Sequence, residues 1–291
     1  MNKENCLKLL QDLYPEKVIT FIGAGWSSMA FDVDDEYIIR VPFVDVSQYK
    51  KEAQLQPFLQ DKVSVLIPEP QVVETKDVSF AIHKKIKGLS WNLDTYNKLT
   101  KEEQNLFCED IAKFFYEIHS VDLTELFANV DKKHFSPYLL EPKYNFFQYL
   151  KNSLSSKEIE DLYNWCEHVL NDKDKSFLIY EDFSPSNCLV DENHRLIGVF
   201  DFANAGINDI HEDFKRLHCS GFLDLLNNVL DYYKKMTGIE VDTEKLNNLN
   251  YANIILCLQY LAQNPNVVES DKSAWDNQIE KAKQLLQKIS A

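Results

Sequence analysis

What most constrains the fold of this chain is the way its periodicity changes along its length. Short β-rich runs at residues 18–23, 29–33, 37–41, 71–74 and 79–83 are confined to the first ninety residues. Gly23-Ala24-Gly25 and Asp34-Asp35 break the first three of them, which predicts an antiparallel meander. Two helical patterns accompany these strands. Leu7, Leu10 and Tyr14 share one face of residues 4–14 before Pro15, and Tyr49, Ala53, Leu55 and Leu59 set the period of residues 46–60. From Thr100 onward the helical period dominates. Phe107, Ile111, Phe114, Phe115 and Ile118 describe a long helix with Thr100 as its N-cap and two glutamates in its first turn. Residues 144–153, 156–170, 221–236, 243–263 and 271–289 continue the pattern, with Asp242 and Ser270 or Asp271 as expected caps. The exception is an island at residues 177–200, where three small strands are separated by polar loops. The order predicts an α+β protein: a small β-rich lobe with a linker at its end (residues 1–88), then a large, mainly helical lobe (residues 89–291).

Charge narrows the range of partners. Among 291 residues, 46 acidic side chains outnumber 31 basic ones, for a net charge of −15. That excludes a generic nucleic-acid binder, whose surface depends on clustered cations. A hydrophobic content of 45% is enough to build a core. The most apolar stretch, residues 254–262, is interrupted by Gln259 and too short to span a bilayer, so no membrane partner is expected. The six cysteines form no C-x-x-C pair and no apolar leader follows Met1, which together predict reduced thiols and a cytoplasmic protein. Most of the imbalance lies in residues 91–291, with 20 cations and 33 anions, against 11 and 13 in residues 1–90. Two readings stay open at this point: ordinary solubility, or a cleft that attracts a cationic ligand or a divalent metal.

The island carries the chemistry. It reads Tyr180-Glu181-Asp182-Phe183-Ser184-Pro185-Ser186-Asn187, followed by Val199-Phe200-Asp201-Phe202. Asp182 and Asn187 stand five apart in a loop closed by Pro185, and Asp201 ends a predicted strand. Such a set can aim one carboxylate at a substrate hydroxyl and two oxygen ligands at magnesium. Phosphoryl transfer asks little covalent chemistry of a protein, so positioned oxygens of this kind suffice. Asp182, Ser184 and Asn187 are also common turn residues, and D-x-x-x-x-N alone would mean no more than that. Its companions strengthen it. Upstream, in the β-rich lobe, Phe21-Ile22-Gly23-Ala24-Gly25-Trp26-Ser27-Ser28 lies between two predicted strands. A strand follows it rather than a helix, and the P-loop lysine is missing, so neither a Walker A loop nor a dinucleotide fold is supported. A glycine-rich hairpin whose amides cover nucleotide phosphates remains, and would involve Gly23, Gly25, Ser27 and Ser28.

Taken in order, these segments resemble the aminoglycoside phosphotransferase group of the protein-kinase-like fold, closest in pattern to its 2″-phosphotransferase branch. The anchors are residues 21–30, 37–42, 67–70, 85–88 and 117–120, with residues 181–187 and 198–213, so the resemblance spans most of the chain. It implies that Asp182 is the catalytic aspartate and that Asn187 and Asp201 hold Mg2+. It also implies that Arg40 stands where kinases place the phosphate-gripping strand lysine, and Glu52 where they place its partner. Lys84, Lys85 and Ile86 form the linker whose backbone reads the purine. On the substrate side, Glu181 and Glu212 are placed to meet an ammonium group, and Tyr260 and Trp275 fall on helices that border the substrate cleft in this family. His119 is expected in the core, Asp213 as a hydrogen-bond partner of the catalytic-loop backbone, and Asp209 as a helix cap.

Three features depart from the family pattern: Tyr180 stands for the usual His, Arg40 for Lys, and Phe214 to Ser220 carry no dense acidic run. The function implied is transfer of the γ-phosphoryl group of ATP or GTP to a hydroxyl of an aminoglycoside, an antibiotic-resistance reaction, by a monomer with a cationic small-molecule substrate. Two alternatives stand beside it. One is a kinase of the same fold acting on choline, a sugar, a macrolide or an amino-alcohol metabolite. The other is a pseudokinase that binds nucleotide without turnover.

Overall fold

The computed structural model describes residues 2–25, 27–43, 46–135, 140, 142–172, 174, 176–219, 222–263 and 272–289. Helix α1 (Lys3–Leu13) starts where Asn2 Oδ1 accepts the Asn5 amide at 2.9 Å, and it buries Cys6 and Leu10. Five strands follow: β1 (Ile19–Ala24), β2 (Ser28–Val33), β3 (Tyr37–Pro42), β4 (Gln71–Glu74) and β5 (Ser79–Lys84). They pair antiparallel in the order β1-β2-β3-β5-β4. Alternation divides the sheet's two faces. Met29, Phe31, Val33, Ile39, Val41 and Phe80 pack with Cys6 and Leu10 of α1 on one face. On the other, Arg40 stands between its direct partners Ala30 and Ala81, small residues that leave the guanidinium room.

Helix α2 (Ser47–Leu59) joins the two lobes. Its first turns face the sheet with Tyr49, while Leu55 and Leu59, together with Val63, Val65 and Ile67, belong to the same hydrophobic cluster as Phe114, Phe115, Tyr180 and Phe183 of the helical lobe. The segment after β5 packs closely against residues 189–198. A Cβ on Gly88 would stand 2.8 Å from Leu189 Cβ, and one on Gly198 would stand 2.9 Å from Ile86 Cγ2. Both positions therefore need glycine for close approach rather than for backbone conformation.

The helical lobe comprises α3 (Leu93–Asn97), α4 (Lys101–His119), α5 (Leu123–Asn129), a 3₁₀ turn at Lys132–Phe135, α6 (Lys143–Leu150), α7 (Ser156–Asn171), α8 (His211–Cys219), α9 (Leu223–Thr237), α10 (Thr243–Gln263) and α11 (Lys272–Ile289). Thr100 and Glu103 form a reciprocal capping box at the head of α4, as the sequence predicts. Asp242 Oδ1 accepts the Glu244 amide at 2.8 Å at the head of α10; the alternative caps Ser270 and Asp271 of the last helix lie outside the described residues. Set among the helices are β6 (Phe177–Ile179), β7 (Cys188–Val190), β8 (Leu196–Val199) and β9 (Gly206–Asn208), paired as β6-β9 and β7-β8. A second apolar cluster joins α6, α7, α10 and α11. No described helix is long and apolar enough to cross a membrane.

Candidate active site

The β7-β8 hairpin sets the first part of the site. Cys188 pairs with Val199, and the Phe200 amide donates to the Asn187 carbonyl at 2.9 Å, so Asn187 and Asp201 leave the ends of adjacent strands side by side. The Asn187 side chain turns back on the loop, its Nδ2 donating to the Asp182 carbonyl at 3.0 Å. Its Oδ1 takes only a long 3.4 Å contact from Ser186 Oγ. Glu181 and Asp201 both adopt left-handed backbone, at φ 69° and 66°. Such conformations cost non-glycine residues about 1 kcal/mol or more each and persist where surrounding bonds hold them. Asp213 does so for Glu181: fully buried, it accepts the Tyr180 and Glu181 amides and is itself held by His119 Nε2 at 2.8 Å. His119 completes its ring contacts with Tyr233, which makes it a satisfied core residue, as expected. Asp209 accepts the His211 amide at the head of α8, also as expected. Tyr180 is held in two ways. Its ring packs edge-on against Phe114 and Phe202, and its hydroxyl donates to the Phe200 carbonyl.

The β-rich lobe contributes a cation. Arg40 Nη1 donates to both oxygens of Glu52, at 3.2 and 2.9 Å, and Nη2 donates to Asp201 Oδ1 at 2.8 Å. The Tyr49 ring lies 4.8 Å beneath the guanidinium. Arginine thus reaches two carboxylates at once, which a lysine ammonium on the same strand could do only as a point charge. Glu52 is 1% exposed, and burial pushes its carboxyl up to about 7 against the downward pull of Arg40. Asp201 gives Arg40 one oxygen only. Asn187 Oδ1 and Asp201 Oδ2 are hard oxygen donors of the kind magnesium takes, one or two from protein with water and phosphate completing its shell. Among the described residues no trio of carboxylate, histidine or cysteine side chains forms a metal cage.

Gly23 ends the irregular part of β1, where the pairing slips between Phe21 and Gly23, and Gly25 donates its amide to the Ser28 carbonyl at 2.9 Å. A Cβ built on Gly23 or Gly25 meets no atom within 4 Å, and neither residue has positive φ. Among the described residues, nothing around either position requires glycine. Ser27 is exposed beside them and Ser28 is buried on β2. Of the linker residues, Lys84 ends β5, and the Lys85 side chain pairs with Asp32 and Asp35 at 2.6 Å, away from a nucleotide-reading role for that side chain. Ile86 packs over Gly198.

The acceptor side holds a surprise. Lys215 of α8 pairs with Glu212 and lies 3.6 Å from Glu181, so the ammonium these glutamates meet is the chain's own. Next to it, Arg216 donates from Nε and Nη2 to Asp182 Oδ1 at 3.0 and 2.7 Å. Tyr260 is half-buried on α10, and Trp275 of α11 packs against the second apolar cluster.

Sequence reasoning passed over Lys51. This residue of α2 is 7% exposed and donates through Nζ to the carbonyls of Ala203 and, at 2.8 Å, Ala205, pinning the segment that follows Asp201. Burial lowers its pKa, opposed by Glu52, Glu181 and Asp201. The available signal was its place beside Glu52 on a helix already assigned to the site. Lys51→Met is expected to change stability by less than about 2 kcal/mol, because the desolvation cost of the ammonium disappears with its bonds. Turnover is expected to fall about tenfold or more as the loop loses its anchor. Denaturation curves and kcat on the same preparation separate the two effects.

Residues 18–246 match a family described as the phosphotransferase enzyme family, APH. The chain belongs to that family. Solved structures agree in fold. The gentamicin complex of APH(2")-IIa superposes with a TM-score of 0.72 at 24% identity, covering 98% of this chain and 96% of that one. The GDP and kanamycin complex of APH(2")-IIia gives 0.72 at 18% identity, covering 99% of both chains. Macrolide 2'-phosphotransferase MphH from Brachybacterium faecium gives 0.63 at 14%, covering 95% of this chain and 97% of that one. This phosphotransferase is therefore an enzyme of a class that acts on hydroxyl groups, built on the protein-kinase-like fold that its sequence predicts.

Proposed function

We propose that the protein transfers the γ-phosphoryl group of ATP or GTP to a hydroxyl of an aminoglycoside. The observation that carries this reading is that Arg40 bonds Asp201 across 161 residues while Asn187 bonds the Asp182 carbonyl and pairs beside Asp201. Asp182 accepts the proton of the attacking hydroxyl as its oxygen bonds to phosphorus, and the nucleoside diphosphate departs with the electrons of the broken bond. Arg40 grips the phosphates, with Glu52 fixing its orientation from α2. The amides of the Gly23 to Ser28 hairpin cover the phosphates, and the linker backbone reads the base. Asn187 and Asp201 are the residues that would hold a magnesium ion, which when bound would supply positive charge against the phosphates. Gentamicin and kanamycin complexes of structures sharing this fold favour an aminoglycoside acceptor.

One observation favours a second reading, a kinase for a less cationic alcohol such as a macrolide: Lys215 already compensates Glu181 and Glu212. The deciding experiment is turnover of ATP and GTP, separately, with magnesium against kanamycin, gentamicin, choline and a macrolide, with products identified by mass spectrometry. Phosphorylated aminoglycoside supports the first reading. Product only from the macrolide or choline removes it.

A further inference from the structure

Adjacent residues of α8 set cations against Glu181, Glu212 and Asp182, but the two are held very differently. The Lys215 side chain is 9% exposed and its partner Glu212 is 3% exposed, whereas Arg216 is 47% exposed against an Asp182 side chain that is 17% exposed. A desolvated pair is costly to open; an exposed one contributes little and exchanges readily. Lys215 is thus a fixed counter-charge and Arg216 a replaceable one. Arg216 directs two N–H groups at a single oxygen of the carboxylate that must receive the acceptor's proton.

We propose that Arg216 is a specificity-determining residue: it holds Asp182 until an acceptor carrying an ammonium beside its hydroxyl replaces the guanidinium, which makes water and uncharged alcohols poor acceptors. An incoming cation exchanges one counter-charge for another, while a neutral hydroxyl must strip the carboxylate of its partner. This inference rests on Asp182 as the proton-accepting carboxylate. It gives α8 a role that the missing acidic run after Asp213 leaves open, since here selectivity comes from displacing a cation rather than from accumulating anions.

The test measures acceptor-independent hydrolysis of ATP and GTP by the full chain with magnesium, in wild type, Arg216→Ala, Arg216→Lys and the double variant Arg216→Ala with Asp182→Asn. Arg216→Ala is expected to raise hydrolysis about fivefold, equivalent to releasing an exposed ion pair of about 1 kcal/mol. Arg216→Lys should restore most of the suppression, and the double variant should lose the gain. Hydrolysis by wild type should also climb with added potassium chloride, which screens exposed pairs, while Arg216→Ala stays flat. With kanamycin present, the ratio of transfer to hydrolysis should fall in Arg216→Ala. Unchanged or reduced hydrolysis in Arg216→Ala overturns the proposal, as does a gain that survives Asp182→Asn. If kanamycin is not phosphorylated at all, the aminoglycoside reading fails while the hydrolysis and salt results still decide the role of Arg216.

Discussion

Asp182→Asn is expected to reduce turnover by about three to four orders of magnitude with any acceptor the enzyme uses. The amide cannot take the hydroxyl proton, and it presents an N–H where a lone pair is needed. Stability should change by less than about 1 kcal/mol, because the bond lost is to Arg216, a half-exposed partner. Nucleotide affinity should hold, since the proposed function assigns the phosphates to Arg40 and the glycine hairpin rather than to Asp182. Steady-state kcat beside a nucleotide titration checks both halves, and turnover within tenfold of wild type would remove Asp182 from its assigned role.

Arg40→Ala should act on binding and stability together. Loss of a charge-assisted grip on the phosphates is expected to weaken nucleotide binding about tenfold to a hundredfold. The variant also leaves Glu52, 1% exposed, without its counter-ion, which typically costs about 3–5 kcal/mol. That cost depends on pH with a definite sign. Burial already raises the Glu52 carboxyl to about 7 in the presence of Arg40, and removing the cation raises it further. The folded state then binds a proton the unfolded state releases, so stability falls as pH rises from the unfolded carboxyl range through neutrality. Arg40→Ala should therefore be closer to wild type at pH 5 than at pH 8 in urea denaturation. An equal deficit at both values would mean that Glu52 stays ionised in the variant. Arg40→Lys should fall between, keeping the charge but not the fork that spans Glu52 and Asp201.

Much of this architecture was legible in the residues. The sheet strands and the long helices fall within about two residues of their predicted limits, because their apolar spacing is regular and their caps are explicit. The elements that escaped have physical reasons to do so. Helix α8 buries Glu212, Asp213 and Lys215 as well as Phe214 and Leu217, so its hidden face is half charged and the hydrophobic period is obscured. Ile210, Phe214 and Leu217 kept enough of that spacing to have revealed it. Helices α3 and α5 are one or two turns long, and β9 is three residues that pair with β6 from about thirty positions away. The site followed the same division. Asp182, Asn187 and Asp201 stood out as candidates by residue type and spacing, and Arg40 and Glu52 only through the family resemblance. The cations that answer Glu181, Glu212 and Asp182 could be placed only once α8 was folded against the loop.

The backbone contacts around Gly88 and Gly198 have a mechanical consequence. Leu66, before the fourth strand, exchanges amide and carbonyl bonds with Ile197 and Val199 at 2.8 and 2.9 Å, and Leu89, after the linker, does the same with Val190 at 2.8 and 2.9 Å. The hairpin that carries Asn187 and Asp201 is stitched to the small lobe on one flank and to the linker on the other. Any hinge motion that widens the cleft must therefore carry that hairpin with it or break these bonds. The β7-β8 hairpin and the small lobe are thus mechanically coupled, and the amides of Leu66, Leu89, Val190 and Val199 are the ones whose hydrogen exchange reports movement between them.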